Sequence, residues 1–275
     1  MGISLPRSTI KELEVKYKRE PSLPKTIFVE GSTDKVLIKW FLKQSKYKDI
    51  SVRCIDTVEV PKEKVEELNL ENNNRNRVII ITTLIENGVI GIIDSDFDFL
   101  QHKEQCTNKN LCKTDYANME MYLFDTESLE KIFLQYNNKN AEEFLKCTDI
   151  LIDLFLIRYA KKILKNELSN IDFSKELIFK SSTIIFDKNK YLKKYLKNNN
   201  ELIEKFNSFI NDIKTKLPKE ERELINGHDF VLMLQIFLGI KQRDAKEVFE
   251  KSLYSVLEYD KLKYEKMFKK LLSIV

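Results

Sequence analysis

Nowhere in the 275 residues do about 20 apolar side chains follow one another, the length that a membrane-spanning helix needs. The opening stretch MGISLPRSTIKELEVKYKRE also lacks an apolar core, so no secretory leader is expected. Met1-Gly2 begins a myristoylation pattern, but Leu5 and Pro6 occupy places where that pattern wants other residues, and a lipid anchor is not expected. No Gly-x-x-x-x-Gly-Lys loop occurs, so the chain carries no P-loop ATPase of its own. Cysteine is sparse: Cys54, Cys106, Cys112 and Cys147 form no regular framework. That usage fits a reducing compartment, and a cytoplasmic location is the expectation. His102, Cys106 and Cys112 lie close in sequence, but a closed zinc site needs a fourth ligand that is not nearby. Internal repeats are absent.

What is present is a globular composition, 43% hydrophobic and 33% charged, on a chain long enough for one large core with an appendage. The net charge of +4 is unevenly spread. Between Arg158 and Glu220, 15 Lys and Arg stand against 8 Asp and Glu, a net of +7 that leaves −3 for the rest. Taken alone, such a stretch reads as solvated helical faces. Beside an acidic site it is also what an anionic polymer would need.

Residues 26–30, TIFVE, read as a short buried strand, with Pro21 and Pro24 keeping its entry extended. Gly31-Ser32-Thr33-Asp34 supplies a turn and helix cap, and VLIKWFLK shows helical spacing, giving a helix over 33–45. ISVRCI, 50–55, alternates as a second strand. RVIIITTLIENG is ambiguous, because its β-branched residues favour a strand. A parallel sheet nevertheless requires a crossover helix before GVIGIID, which places a helix over 72–86 and a strand over 89–94. A polar loop is expected at 101–114, and DYANMEMYLF, 115–124, leads into a helix at 126–136. Beyond it, helices are expected at 141–168, 187–197, 200–216, 228–239 and 242–273, with at most a short strand at 176–180. The expected fold class is α/β, a Rossmann-like, mainly parallel sheet flanked by helices. Residues 1–140 (core 26–125) would form the catalytic part and 141–275 a mostly helical lobe.

The stretch GVIGIIDSDFDF, 88–99, runs from an apolar strand into Asp94, Asp96 and Asp98. In open α/β sheets, ligands collect at the carboxyl ends of strands where strand order reverses. If the strand at 50–55 lies on one side of 26–30 and the strand at 89–94 on the other, Glu30 and the Asp pair converge there. Converging carboxylates repel unless a cation compensates. A hard dication, Mg2+ or Mn2+, prefers oxygen ligands and leaves positions open for phosphate. In an extended segment Asp94 and Asp96 would point the same way. Alone, Asp-x-Asp also fits dehalogenase-type phosphatases, nucleotide-sugar glycosyltransferases or a solvated loop; Glu30-Gly31 narrows the choice. Glu120 could equally be a carboxylate paired with a lysine, and His228 a structural cap.

FVEGSTDKVLIKWF and GIIDSDFDF resemble the two signature motifs of TOPRIM domains. With TDYANMEMYLF and NGHDFVLMLQIFL, the four stretches resemble, over roughly residues 26–240, the OLD-like TOPRIM nucleases that include effectors of the PARIS anti-phage system. The resemblance implies a TOPRIM fold, with Glu30 as metal ligand or general base and Asp94 and Asp96 as metal ligands. Glu120 would complete a second metal site. Asp98, His228 and Asp229 would support the site from outside, and an unspecified lysine would offset charge; Lys35 is close in sequence but falls inside a helix. It further implies Mg2+ or Mn2+ as cofactor, a nucleic acid substrate (RNA such as tRNA, or DNA), and an ABC-type ATPase partner. It leaves room for a homodimer and includes no membrane partner. The competing expectation from another class is a non-catalytic TOPRIM module that binds nucleic acid or docks a partner.

Overall fold

The computed structural model describes residues 7–102, 108–135, 140–164, 172–180, 183–240, 249 and 252–275. In chain order, the first half contains β1 (Ser8–Thr9), α1 (Ile10–Arg19), β2 (Thr26–Val29), α2 (Ser32–Lys43), β3 (Ser51–Cys54) and β4 (Val58–Glu59). Next come α3 (Lys62–Glu67), α4 (Asn74–Leu84), β5 (Val89–Ile93) and β6 (Leu111–Lys113). The second half contains α5 (Thr126–Gln135), α6 (Ala141–Leu145), α7 (Thr148–Ile163), β7 (Leu177–Lys180) and β8 (Thr183–Phe186). It continues with α8 (Lys188–Tyr195), α9 (Asn200–Lys214), α10 (Gly227–Leu238), α11 (Tyr259–Leu262) and α12 (Lys266–Ile274). The chain is α/β, with parallel sheets flanked by helices. It divides into two compact units. One comprises the described residues of Met1–Ser95, Glu104–Asp115 and Glu247–Val275, the other those of Asp96–Lys103 and Tyr116–Lys246.

The first unit is built on a four-stranded sheet in the order β3-β2-β5-β6, every neighbour parallel. Its central strands are fully buried and, but for Thr26 at the start of β2, carry no polar side chain, as suits strands covered on both faces. The ambiguous segment before β5 is helical. Asn73 caps α4 by accepting the Asn76 N–H at 2.9 Å, and Val78, Ile80 and Ile81 are buried. Here burial against the sheet outweighs β propensity. Gly91 makes the approach possible, since a Cβ there would lie 2.6 Å from Val78 Cγ1 and 2.7 Å from Thr82 Cγ2.

The expected loop at 101–114 needs correction, because its end forms β6, which pairs with β5 in the register Gly91↔Leu111. Three residues are too short a run for periodicity to reveal. The expected helix at 242–273 also changes. Residues 241–248, 250 and 251 lie outside the described residues, and the C-terminal stretch forms two helices, α11 and α12, joined by a turn. Asp115 caps α12, accepting the Met267 N–H at 3.1 Å, and Lys270 donates to the Leu111 carbonyl at 2.7 Å.

The second unit is mainly helical. Phe144 lies at its core, with ring centroids 5.9 Å from Phe133, 5.9 Å from Phe230 and 5.4 Å from Phe237. The single helix expected over 141–168 breaks into α6 and α7, and 165–168 lie outside the described residues. The strand expected at 176–180 has an antiparallel partner, β8. Part of the basic charge of 158–220 is spent internally. Asp153 holds Lys188 at 3.0 Å and Lys214 at 2.7 Å; Glu176 holds Lys190 at 2.9 Å and also Lys194. Among the described residues, no helix is long and apolar enough to cross a membrane.

Candidate acidic site at the strand ends

In the first unit, β3 lies on one side of β2 and β5 on the other, so strand order reverses between β2 and β5. Such a switch point opens a crevice at the carboxyl ends of the strands. Glu30 follows β2 and Asp94 follows β5. The Asp94 N–H donates to Glu30 Oε1 at 2.9 Å, joining positions 64 residues apart. The backbone around Glu30 is anchored from several elements. Its carbonyl accepts from Asn74 Nδ2 at 2.9 Å, at the start of α4. The Gly31 N–H donates to Asp34 Oδ2 at 2.9 Å, and the Cys54 thiol donates to the Gly31 carbonyl at 3.3 Å. After Asp94, buried Ser95 is fastened to the end of β6: its N–H donates to Thr114 Oγ1 at 2.9 Å and its hydroxyl to the Thr114 carbonyl at 2.5 Å.

The second unit brings together three stretches that are distant in sequence. Asp96 has φ +47, and its N–H donates to the Ala117 carbonyl at 2.8 Å. This corrects the extended geometry expected from Asp94 through Asp96. The chain turns at Asp96, in the left-handed region that Asp tolerates better than most residues. Asn118 Nδ2 donates to Asp96 Oδ1 at 3.3 Å, while Asn118 Oδ1 accepts the Gly227 N–H at 2.9 Å. Glu120 is buried in the short 3-10 turn Met119–Leu123, against Gly227. A Cβ on Gly227 would overlap Glu120 Oε2, which explains why glycine starts this helix. Alongside, the Ala117 N–H donates to the Arg222 carbonyl at 3.0 Å. The Arg222 guanidinium sits 3.8 Å from the centre of the Tyr116 ring, and Glu220 Oε1 and Oε2 hold it at 2.8 and 3.0 Å.

The remaining predicted residues are placed differently. Both Asp229 oxygens accept from Arg158, Nε and Nη2 at 2.6 Å each, so this carboxylate ties α10 to α7. His228 is exposed in the first turn of α10, and Asp98 is buried. Lys35 lies within α2. Lys113 closes β6 in register with Ile93, which brings its backbone to the same sheet edge as Asp94. The sequence does not point to it, because β6 reads there as loop. Cys112 is buried in β6, and burial pushes its thiol up to about 12, away from the thiolate that a metal would bind; Cys106 lies outside the described residues.

Glu30 and Asp94 carry the hard oxygen donors that Mg2+ or Mn2+ prefers. The Asp94 N–H on Oε1 orients the Glu30 carboxylate at the strand end. Among the described residues, no group of three or more His, Cys, Asp or Glu side chains is arranged to hold a metal ion. No protein-family model matches the chain, and a search of curated proteins finds no match.

Proposed function

We propose that this protein is a TOPRIM-type nuclease that hydrolyses phosphodiester bonds with the help of a divalent cation. The observation that carries the reading is the Asp94 N–H to Glu30 Oε1 bond at the β2/β5 switch point. It couples the acid of the Glu-Gly turn to the first acid of the Asp-x-Asp stretch, the pairing that gives both motifs a common purpose. Asp94 would hold Mg2+ or Mn2+, leaving Glu30 as the general base; the cation would supply positive charge against phosphodiester oxygens and acidity to water. Asp96 and Glu120 are the further acids of the pattern.

The attacking water loses a proton to the Glu30 carboxylate as its oxygen bonds to phosphorus. The phosphorus–oxygen bond to the leaving nucleotide breaks, and that oxygen takes up a proton from solvent water. The Asp94 N–H keeps the accepting carboxylate in place. The net positive charge of the 158–220 stretch is what an anionic polymer would need. The motif resemblance to AriB, the effector of the PARIS system, points to anti-phage defence, to an ABC-type ATPase partner and to RNA, tRNA included, beside DNA as substrates.

A second reading is a non-catalytic module for nucleic acid or partner docking. It is favoured by the structural bonds that Glu30 and Asp96 already make, to the Asp94 N–H and to Asn118. Cleavage separates the two. Purified protein is incubated with plasmid, single-stranded DNA and total RNA, with Mg2+, Mn2+ or chelator, beside Glu30→Ala and Asp94→Ala. Cation-dependent products from wild type alone support the nuclease. Intact substrates throughout, with the ATPase partner added as well, support the docking module.

A further inference from the structure

We infer that Asn118 is the positioning residue for Asp96, and that it couples this acid to the start of α10. The inference rests on the nuclease reading above and extends it to a residue outside the acidic set. Asn118 is itself buried, and its amide is used at both ends. A backbone N–H can only donate, so Asn118 Oδ1 must face the Gly227 N–H at 2.9 Å. That requirement turns Nδ2 toward Asp96 Oδ1, 3.3 Å away, where it donates to the carboxylate. The amide orientation is therefore set by α10 and passed to Asp96.

Asp96 needs such a support because its backbone is not held by a strand. It turns with φ +47, and its N–H reaches the Ala117 carbonyl at 2.8 Å, one residue before Asn118. One short segment, Ala117-Asn118, thus fixes both the backbone and the carboxylate of Asp96. The same segment leads directly into Glu120, whose carboxylate occupies the space that only glycine at 227 leaves open. Asn118 stands where the Asp-x-Asp stretch, the Asn-Met-Glu stretch and the Asn-Gly-His-Asp stretch meet. Aspartate could not replace it, since it accepts from Gly227 equally well but has no N–H for Asp96 and adds a repelling charge.

Asn118→Asp is therefore the informative variant, with Asn118→Ser as a milder second. Metal-free melting temperature is measured first, then Mn2+ affinity by calorimetry. The expected result is a folded protein with a lowered melting temperature and Mn2+ affinity about tenfold weaker, as for residues that orient metal ligands. An affinity within twofold of wild type, in whichever variant remains folded, overturns the inference. Loss of the fold in both variants also overturns it, by making Asn118 a folding residue. A wild-type protein that binds no Mn2+ overturns instead the nuclease reading on which the inference stands.

Discussion

The Asp94 N–H donates to Glu30 Oε1 at 2.9 Å, so a side chain following one central strand accepts from the backbone following the other. Glu30→Gln keeps an oxygen for that N–H, whereas Glu30→Ala leaves the donor without it. We expect Glu30→Gln to match wild-type stability within about 0.5 kcal/mol and Glu30→Ala to lose about 1 kcal/mol. Urea unfolding of both variants checks this. Equal losses would mean that the bond contributes nothing to the fold.

Gly227 and Glu120 compete for one volume. Gly227→Ala should cost about 1–3 kcal/mol, the usual range for overpacking. Shortening the opposing side chain should relieve it, so the double variant Gly227→Ala, Glu120→Ala is expected to melt above Gly227→Ala alone. Strictly additive losses in thermal unfolding would rule out this competition.

Asp229 is almost fully buried with both oxygens on Arg158, which is 31% exposed. Removing one partner of a buried pair costs about 3–5 kcal/mol. The exposed part of Arg158 lowers that figure, and Asp229→Ala is expected to lose about 2–3 kcal/mol. Chemical denaturation should show the loss, with Asp229→Asn milder because its oxygen still accepts. A neutral Asp229→Ala would mean that the pair does not join α10 to α7.

Glu176 is enclosed, and hydrogen bonds from Lys194 and Lys190 hold its carboxyl below the ordinary range. A lowered folded-state value means that the stabilisation is present above the unfolded value, about 4.3, and is lost as pH falls through the folded one. Wild-type stability should therefore drop as pH is taken below about 4.3, and Glu176→Gln should drop less steeply over that window. Parallel curves in acid titrations followed by circular dichroism would contradict this.

Glu30, Gly31 and Asp94 are legible in the sequence because a strand, a turn and a run of acids leave local marks. The crossover helix α4 is legible only through topology, since the β-branched content of its residues argues for a strand. β6 leaves no mark: three residues have no period, and their place comes from pairing with β5. The turn at Asp96 is hidden as well, because its φ answers to Ala117 and its carboxylate to Asn118, 22 residues on. The same holds for Asp229, whose partner Arg158 lies 71 residues away. Nor does the linear pattern announce that the chain passes from one compact unit to the other immediately after Ser95.

If Glu30 and Asp94 act together on phosphodiester bonds with a divalent cation, the effect is read most directly in a cleavage rate. Total RNA and single-stranded DNA are offered to wild type and to Glu30→Gln in Mn2+, with chelator as control. Wild type is expected to cut, chelator to abolish cutting, and Glu30→Gln to lose at least about 100-fold in rate despite its intact fold. Equal cutting by the folded Glu30→Gln variant, or cutting that persists in chelator, would show that these acids and their cation do not perform the cleavage.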